Sequence, residues 1–188
     1  MLPAIYLASQ SPRRKQLLEW AEIDFKVLVE PTDESFPEGL SPAEAVVHIA
    51  QQKALAVKNK LPDDVIIIAA DTVVVLNDII IGKPKDREDA ITILSALSGN
   101  SHYVITGVVI TRGEQQVTFY DTTTVEFHIL TPQQIEFYVD KYEPYDKAGA
   151  YAIQEWIGVV GIKSINGDFY NVMGLPVSRV VPAMISLM

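Results

Sequence analysis

The sequence predicts a mixed α/β fold, a central mixed sheet flanked by helices. Two observations carry this prediction. Apolar runs of strand length recur between helical segments that open on recognisable caps, and two long strand-like runs follow each other with only a tight turn between them. Adjacent hairpins mixed with single helices do not match the strict βαβ alternation of a doubly wound sheet. The 188 residues, 48% of them apolar, suffice to bury a core, and the length fits one large domain or two lobes sharing a sheet. Residues 1–188 are expected to form a single domain.

In chain order, "AIYLAS" reads as a buried strand feeding a helix. Ser11 is its N-cap and Pro12 its first residue, since proline's missing N–H has no helical partner there. Leu17, Leu18 and Ala21 supply the apolar face. After the acidic loop "EPTDESFPEGL", a second helix opens on a capping box, Ser41 to Glu44, with the stripe Val46, Ile49, Ala50 and Val57. "VIIIAADTVVVL" is a long buried strand or two strands with a break, and Asn77-Asp78 turns it into "IIIG". Asp86 caps a helix that Gly99 closes. Two strand regions follow, joined near Gly113 and Glu114. "TPQQIEFYVDK" is a capped helix, Asn166-Gly167 predicts a hairpin, and a last helix starts at Pro176.

Composition excludes several kinds of function. A net charge of −9 argues against a coat for nucleic acid polymers, which needs a basic face. The absence of cysteine removes disulfides, thiolate zinc sites and thiol nucleophiles. His48, His102 and His128 lack metal-ligand spacing and read as surface or structural residues. No serine lies in a G-x-S-x-G elbow, and neither a Walker loop nor a GxGxxG fingerprint is present. "MLPAIYLASQ" carries no basic leader and no apolar stretch reaches a membrane span, so a cytoplasmic protein without membrane contact is expected.

Against this background a few polar residues stand out. Arg13 and Arg14 fall in the first turn of their helix, where each cation costs roughly 0.3–1 kcal/mol against the dipole. Either they are solvated and tolerate that penalty, or an anion is bound there, since helix N-termini and guanidinium forks both suit phosphate. On the dipole argument alone, removing either arginine leaves the empty protein as stable or slightly more stable. Asp71 interrupts an apolar strand and needs a partner. It is a strand-end aspartate bonded to backbone, or a carboxylate that holds a divalent cation or accepts a proton from water. Lys53 shows the same inversion on the core-facing stripe of its helix, where a snorkelling lysine is the usual explanation. Lys83 sits between glycine and proline at a strand end. With Glu34, these residues form the inventory for a magnesium-bound polyphosphate. The small residues of "DKAGAYAIQ" allow close backbone approach to another surface.

The segments "LASQSPRR", "DES", "QQKA", "ADTVV", "GKP", "LSGNSHYVITG", "DKAGAYAIQ" and "INGDFYNVMGLP" resemble the Maf family of nucleoside triphosphate pyrophosphatases over nearly the whole chain. The resemblance implies an inosine triphosphatase-like fold with two lobes around a cleft, a homodimer, and a divalent metal, Mg2+ or Mn2+. Position by position, Ser9, Arg13, Arg14, Lys53 and Lys83 match phosphate-contacting residues, Glu34 a metal-associated acid, and Asp71 the general base or a metal ligand. Arg13, Thr72 and Gln154 match positions linked to substrate choice. "SPRR", "ADT" and "KAGAYxIQ" are similar to the subgroup acting on dTTP and UTP. Relatives acting on 7-methyl-GTP carry an aromatic residue in the first motif and glutamine after the aspartate. Glu155 and Trp156 depart from the subgroup, which usually has glycine after the glutamine. The implied reaction is hydrolysis between the α- and β-phosphates. Alternatives are a pyrophosphatase preferring 7-methyl-GTP or modified pyrimidine nucleotides, and a regulator of cell division that binds nucleotide without turnover.

Overall fold

The computed structural model describes residues 3–188; Met1 and Leu2, which begin the stretch read above as leaderless, lie outside them. The chain builds a seven-stranded mixed sheet in the order β2-β1-β3-β5-β6-β7, with β4 paired to β3. Its strands are β1 (Ile5–Leu7), β2 (Lys26–Val27), β3 (Ile66–Leu76), β4 (Ile79–Ile81), β5 (Ser101–Arg112), β6 (Gln115–Phe127) and β7 (Ile162–Asn166). The helices are α1 (Pro12–Trp20), α2 (Pro42–Lys58), α3 (Arg87–Leu97), α4 (Pro132–Tyr142), α5 (Trp156–Gly161), α6 (Phe169–Met173) and α7 (Val177–Ile185). The mixed α/β expectation therefore holds.

Two compact units share the chain. Among the described residues the first comprises residues 3–72, Thr106–Asp121 and Gly174–Met188; the second comprises Val73–Ile105 and Thr122–Met173. In the first, β1 runs parallel to β2 and to β3, with Leu7 beside Ile68. A core of Ala8, Ala50, Ala54, Val57, Ile67 and Val109 packs α2 against these strands. The second unit pairs β3 with β4 and β6 with β7, both antiparallel. Leu94, Leu97, Val125, Ile135 and Ile157 are buried there.

Helix starts follow the predicted caps. The Ser11 hydroxyl accepts from the Arg14 N–H, the capping boxes Ser41/Glu44 and Thr131/Gln134 form in full, and the Asp86 carboxylate accepts from the Asp89 N–H. Asn77 and Asp78 both adopt positive φ in the β3–β4 turn, as their side chains tolerate.

The Asn166-Gly167 hairpin does not form. β7 pairs with β6, far back in sequence, and the residues after Gly167 coil into α6, where the Asp168 carboxylate accepts from the Tyr170 N–H at 2.7 Å. Gly167 is required at this bend for two reasons: its φ is +127°, and a Cβ would lie 3.0 Å from the Thr123 Cα. The dipeptide is thus a strand-to-helix turn. Among the described residues no helix is long and apolar enough to cross a membrane.

Candidate active site

β1 ends at Leu7, and the Ala8 N–H still donates to the Ile68 carbonyl at 2.8 Å. The chain then leaves the sheet, so Ser9 and the start of α1 lie at the C-terminal end of a parallel strand, where open α/β sheets place ligands. On the neighbouring strand Asp71 and Thr72 follow Ile68 by three and four residues. The register of β1 on β3 therefore gathers these groups in the first unit.

Lys53 is paired and does not merely snorkel. From α2 its ammonium donates to Asp71 Oδ1 at 2.8 Å and lies 2.7 Å from Glu34 Oε1. The Lys53 and Asp71 side chains are each 16% exposed, against 53% for Glu34, so the cluster is buried on one flank and open on the other. Two carboxylates thus share one cation, and the partner that Asp71 required is this lysine. Next to Glu34, the Asp33 carboxylate accepts from the backbone N–H and hydroxyl of Ser35. The backbone bond, followed by the hydroxyl, holds Asp33 below the usual carboxylate range.

The two arginines separate. Arg13 is half-buried, whereas Arg14 is buried and committed to protein acceptors. Arg14 Nε donates to the Gly174 carbonyl at 2.8 Å, Nη1 to Ser9 Oγ at 3.1 Å and Nη2 to Thr72 Oγ1 at 2.9 Å. Burial pulls its pKa down; the Asp71 charge opposes that shift, Arg13 adds to it and Glu34 opposes it. Arg14 is therefore not a solvated cation tolerating a dipole penalty. It ties α1 to β3 and to the segment entering α7, and these three bonds oppose the dipole expectation that its loss leaves the empty protein as stable or slightly more stable. Ser9, expected on phosphate, also serves this scaffold: its hydroxyl accepts from Arg14 and from the Ser11 N–H.

Lys83 and Gln154 belong to the second unit, and both side chains are exposed. Their segments are joined by a backbone hydrogen bond, Gly149 N–H to the Gly82 carbonyl, at 3.1 Å. Gly149 has φ +70°, and a Cβ there would lie 2.7 Å from Val74, so the small residues do permit the close approach predicted for them. Glu155 and Trp156 both have partners within the protein. The Glu155 carboxylate accepts from the Tyr138 hydroxyl and lies 3.7 Å from the buried Lys147 ammonium. Trp156 packs edge-on against Phe137, ring centres 4.8 Å apart. Tyr138 also accepts from the Ala152 N–H, so this network fixes the backbone just before Gln154.

The histidines divide as well. His128 is exposed, His48 half-buried, and His102 fully buried, its Nε2 2.7 Å from the Tyr151 hydroxyl and its Nδ1 without a partner. Among the described residues no group of three or more His, Asp or Glu side chains could hold a metal. A hard divalent ion bound through one or two carboxylates and completed by phosphate oxygens does not need such a group. Glu34 and Asp71, already sharing one cation, fit that donor set.

Sequence reasoning missed Thr106, Tyr138 and Lys147. Thr106 is fully buried, with its hydroxyl 2.9 Å from Thr72 Oγ1. Its only sequence signal was its place within a quoted motif.

Comparison with known proteins matches residues 4–187 to the family model described as "Maf-like protein". A "dTTP/UTP pyrophosphatase" of Cytophaga hutchinsonii is 51% identical over 94% of this chain and 81% of its own. Proteins of the same name from Parabacteroides distasonis and Bacteroides thetaiotaomicron are 49% and 48% identical, each over 93% of this chain and 91% of theirs. Among solved structures, the Staphylococcus aureus Ham1 protein matches with a TM-score of 0.46 and 17% identity, over 66% of this chain and 71% of that one.

Proposed function

The chain belongs to the Maf family, and we propose that it hydrolyses dTTP and UTP between the α- and β-phosphates, giving the nucleoside monophosphate and pyrophosphate. The observation that carries the chemistry is the Glu34–Lys53–Asp71 cluster, one ammonium held at 2.7 and 2.8 Å by two carboxylates at the end of a parallel strand pair. Lys53 fixes Asp71 through Oδ1, and Oδ2 is the oxygen that takes the proton from water as it attacks the α-phosphorus. Arg13, Lys53 and Lys83 counter the charge that builds on the departing pyrophosphate. Ser9 is a phosphate contact through its hydroxyl, and Arg14 acts by holding Ser9 and Thr72 in place. Glu34 and Asp71 would hold Mg2+ or Mn2+, whose charge, when bound, neutralises phosphate oxygens. Thr72 and Gln154 read the base; an amide side chain can accept from N3–H of uracil or thymine and donate to the neighbouring carbonyl.

The family resemblance supports a homodimer of single-domain chains acting in the cytoplasm, and the net charge of −9 supports free nucleotides rather than nucleic acid as substrate. The test is pyrophosphate release from dTTP, UTP, CTP, GTP and 7-methyl-GTP, with Mg2+ and with Mn2+. Turnover of dTTP and UTP to monophosphate and pyrophosphate is expected. Orthophosphate as the product, preference for 7-methyl-GTP, or binding without turnover would each replace this assignment.

A further inference from the structure

We propose that Thr106 is a positioning residue that sets the base selectivity of Thr72, an inference that rests on Thr72 reading the base as described above. A threonine hydroxyl has one proton to donate and two lone pairs. At Thr72 one lone pair accepts from Arg14 Nη2 at 2.9 Å, and the Thr106 hydroxyl, 2.9 Å away, occupies a second valence. One valence remains for a ligand. If Thr72 donates to Thr106, the remainder is a lone pair; if Thr106 donates to Thr72, the remainder is the proton. In either polarity Thr72 presents a single hydrogen-bonding character, and exchanging one for the other requires the buried Thr106 hydroxyl to turn its proton in the same step. Thr106 is fully buried in β5, and Arg14 is locked by two further bonds to Ser9 and Gly174.

A single character is what separates uracil or thymine from cytosine. Their edges differ by exchange of donor and acceptor at N3 and at the C4 substituent, and a freely rotating hydroxyl serves either pattern. Without the Thr106 hydroxyl, Thr72 regains both a proton and a lone pair, so it can pair with the wrong base. Thr106 acts through Thr72 and touches no substrate, so its removal alters selectivity more than rate on the preferred nucleotide.

The experiment compares kcat/KM for UTP and CTP in wild type, Thr106→Val, Thr106→Ala, Thr106→Ser and Thr72→Val, with melting curves to confirm folding. Thr106→Val keeps the volume and loses the hydroxyl; Thr106→Ala provides a second hydroxyl-free variant should valine pack poorly. The UTP to CTP ratio is expected to narrow ~10-fold in both, the worth of about one hydrogen bond, and to stay near wild type in Thr106→Ser. An unchanged ratio in the folded hydroxyl-free variants, with Thr72→Val still altering it, overturns the role of Thr106 alone. An unchanged ratio in Thr72→Val removes the base-reading premise as well. A wild type that releases no pyrophosphate overturns the functional assignment itself.

Discussion

Replacing Arg14 by methionine sets two physical effects against each other, and the structure supplies the size of both. Loss of a cation from the first turn of α1 relieves a dipole penalty of roughly 0.3–1 kcal/mol. Against this stand three hydrogen bonds from a buried guanidinium, to the Gly174 carbonyl, Ser9 Oγ and Thr72 Oγ1. Bonds to charged groups contribute about 1.5–3 kcal/mol each, and their loss leaves acceptors unpaired. Part of that is returned because Arg14 is costly to bury, as its lowered pKa records. Methionine keeps most of the apolar stem, so the net loss is set at about 2–4 kcal/mol. For a chain of this length each kcal/mol shifts Tm by about 2–4 °C, so Arg14→Met should melt roughly 4–16 °C below wild type. Arg13→Met should move Tm far less, within about 0.5 kcal/mol of stability. The assay is thermal unfolding followed by circular dichroism, with urea titration to give the free energy. Arg14→Met melting at or above the wild-type temperature would refute the scaffold role and restore the dipole term as the larger one.

Asp71→Asn should keep the fold and nucleotide binding while pyrophosphate release falls at least ~100-fold, because asparagine is neither a base nor an anion; near-normal turnover by the folded variant rules out Asp71 as the proton acceptor. Gln154→Ala should narrow the UTP to CTP gap, chiefly by lowering kcat/KM for UTP, and an unchanged ratio would move base recognition elsewhere. His102, whose pKa burial pushes down to about 4, takes up a proton more readily in the unfolded chain, where its pKa is about 6.5. Its contribution is therefore intact above pH 6.5 and is lost as pH falls toward 4, by about 2 kcal/mol at pH 5. Urea midpoints at pH 7 and pH 5 should converge more in His102→Gln than in wild type; equal convergence assigns the acid sensitivity to other groups.

What the sequence reveals depends on how far a residue's partners lie along the chain. Ser11, Ser41, Asp86 and Thr131 cap backbone N–H groups three residues ahead, so their helices could be placed from local pattern alone. Asn166-Gly167 was misread for the converse reason: turn chemistry is local, but whether a second strand follows depends on β6, whose Thr123 leaves room for no Cβ at Gly167. The short elements β2, α5 and α6 gave no usable periodicity, having two, six and five residues. At the site, Lys53 and Asp71 were legible as polarity inversions, charges placed where the pattern called for apolar residues, and such inversions signal a paired partner without naming it. Arg14 shows the limit of that logic. Its place in a first helical turn suggests exposure, whereas two of its three acceptors lie 58 and 160 residues away in sequence, so no local pattern reports that it is buried. Thr106 is less visible still, since a threonine in a strand breaks no pattern. Charges set against the pattern around them, such as Lys53 and Asp71, therefore stand out in the sequence, while the burial of Arg14 and the pairing of Thr106 emerge only from geometry.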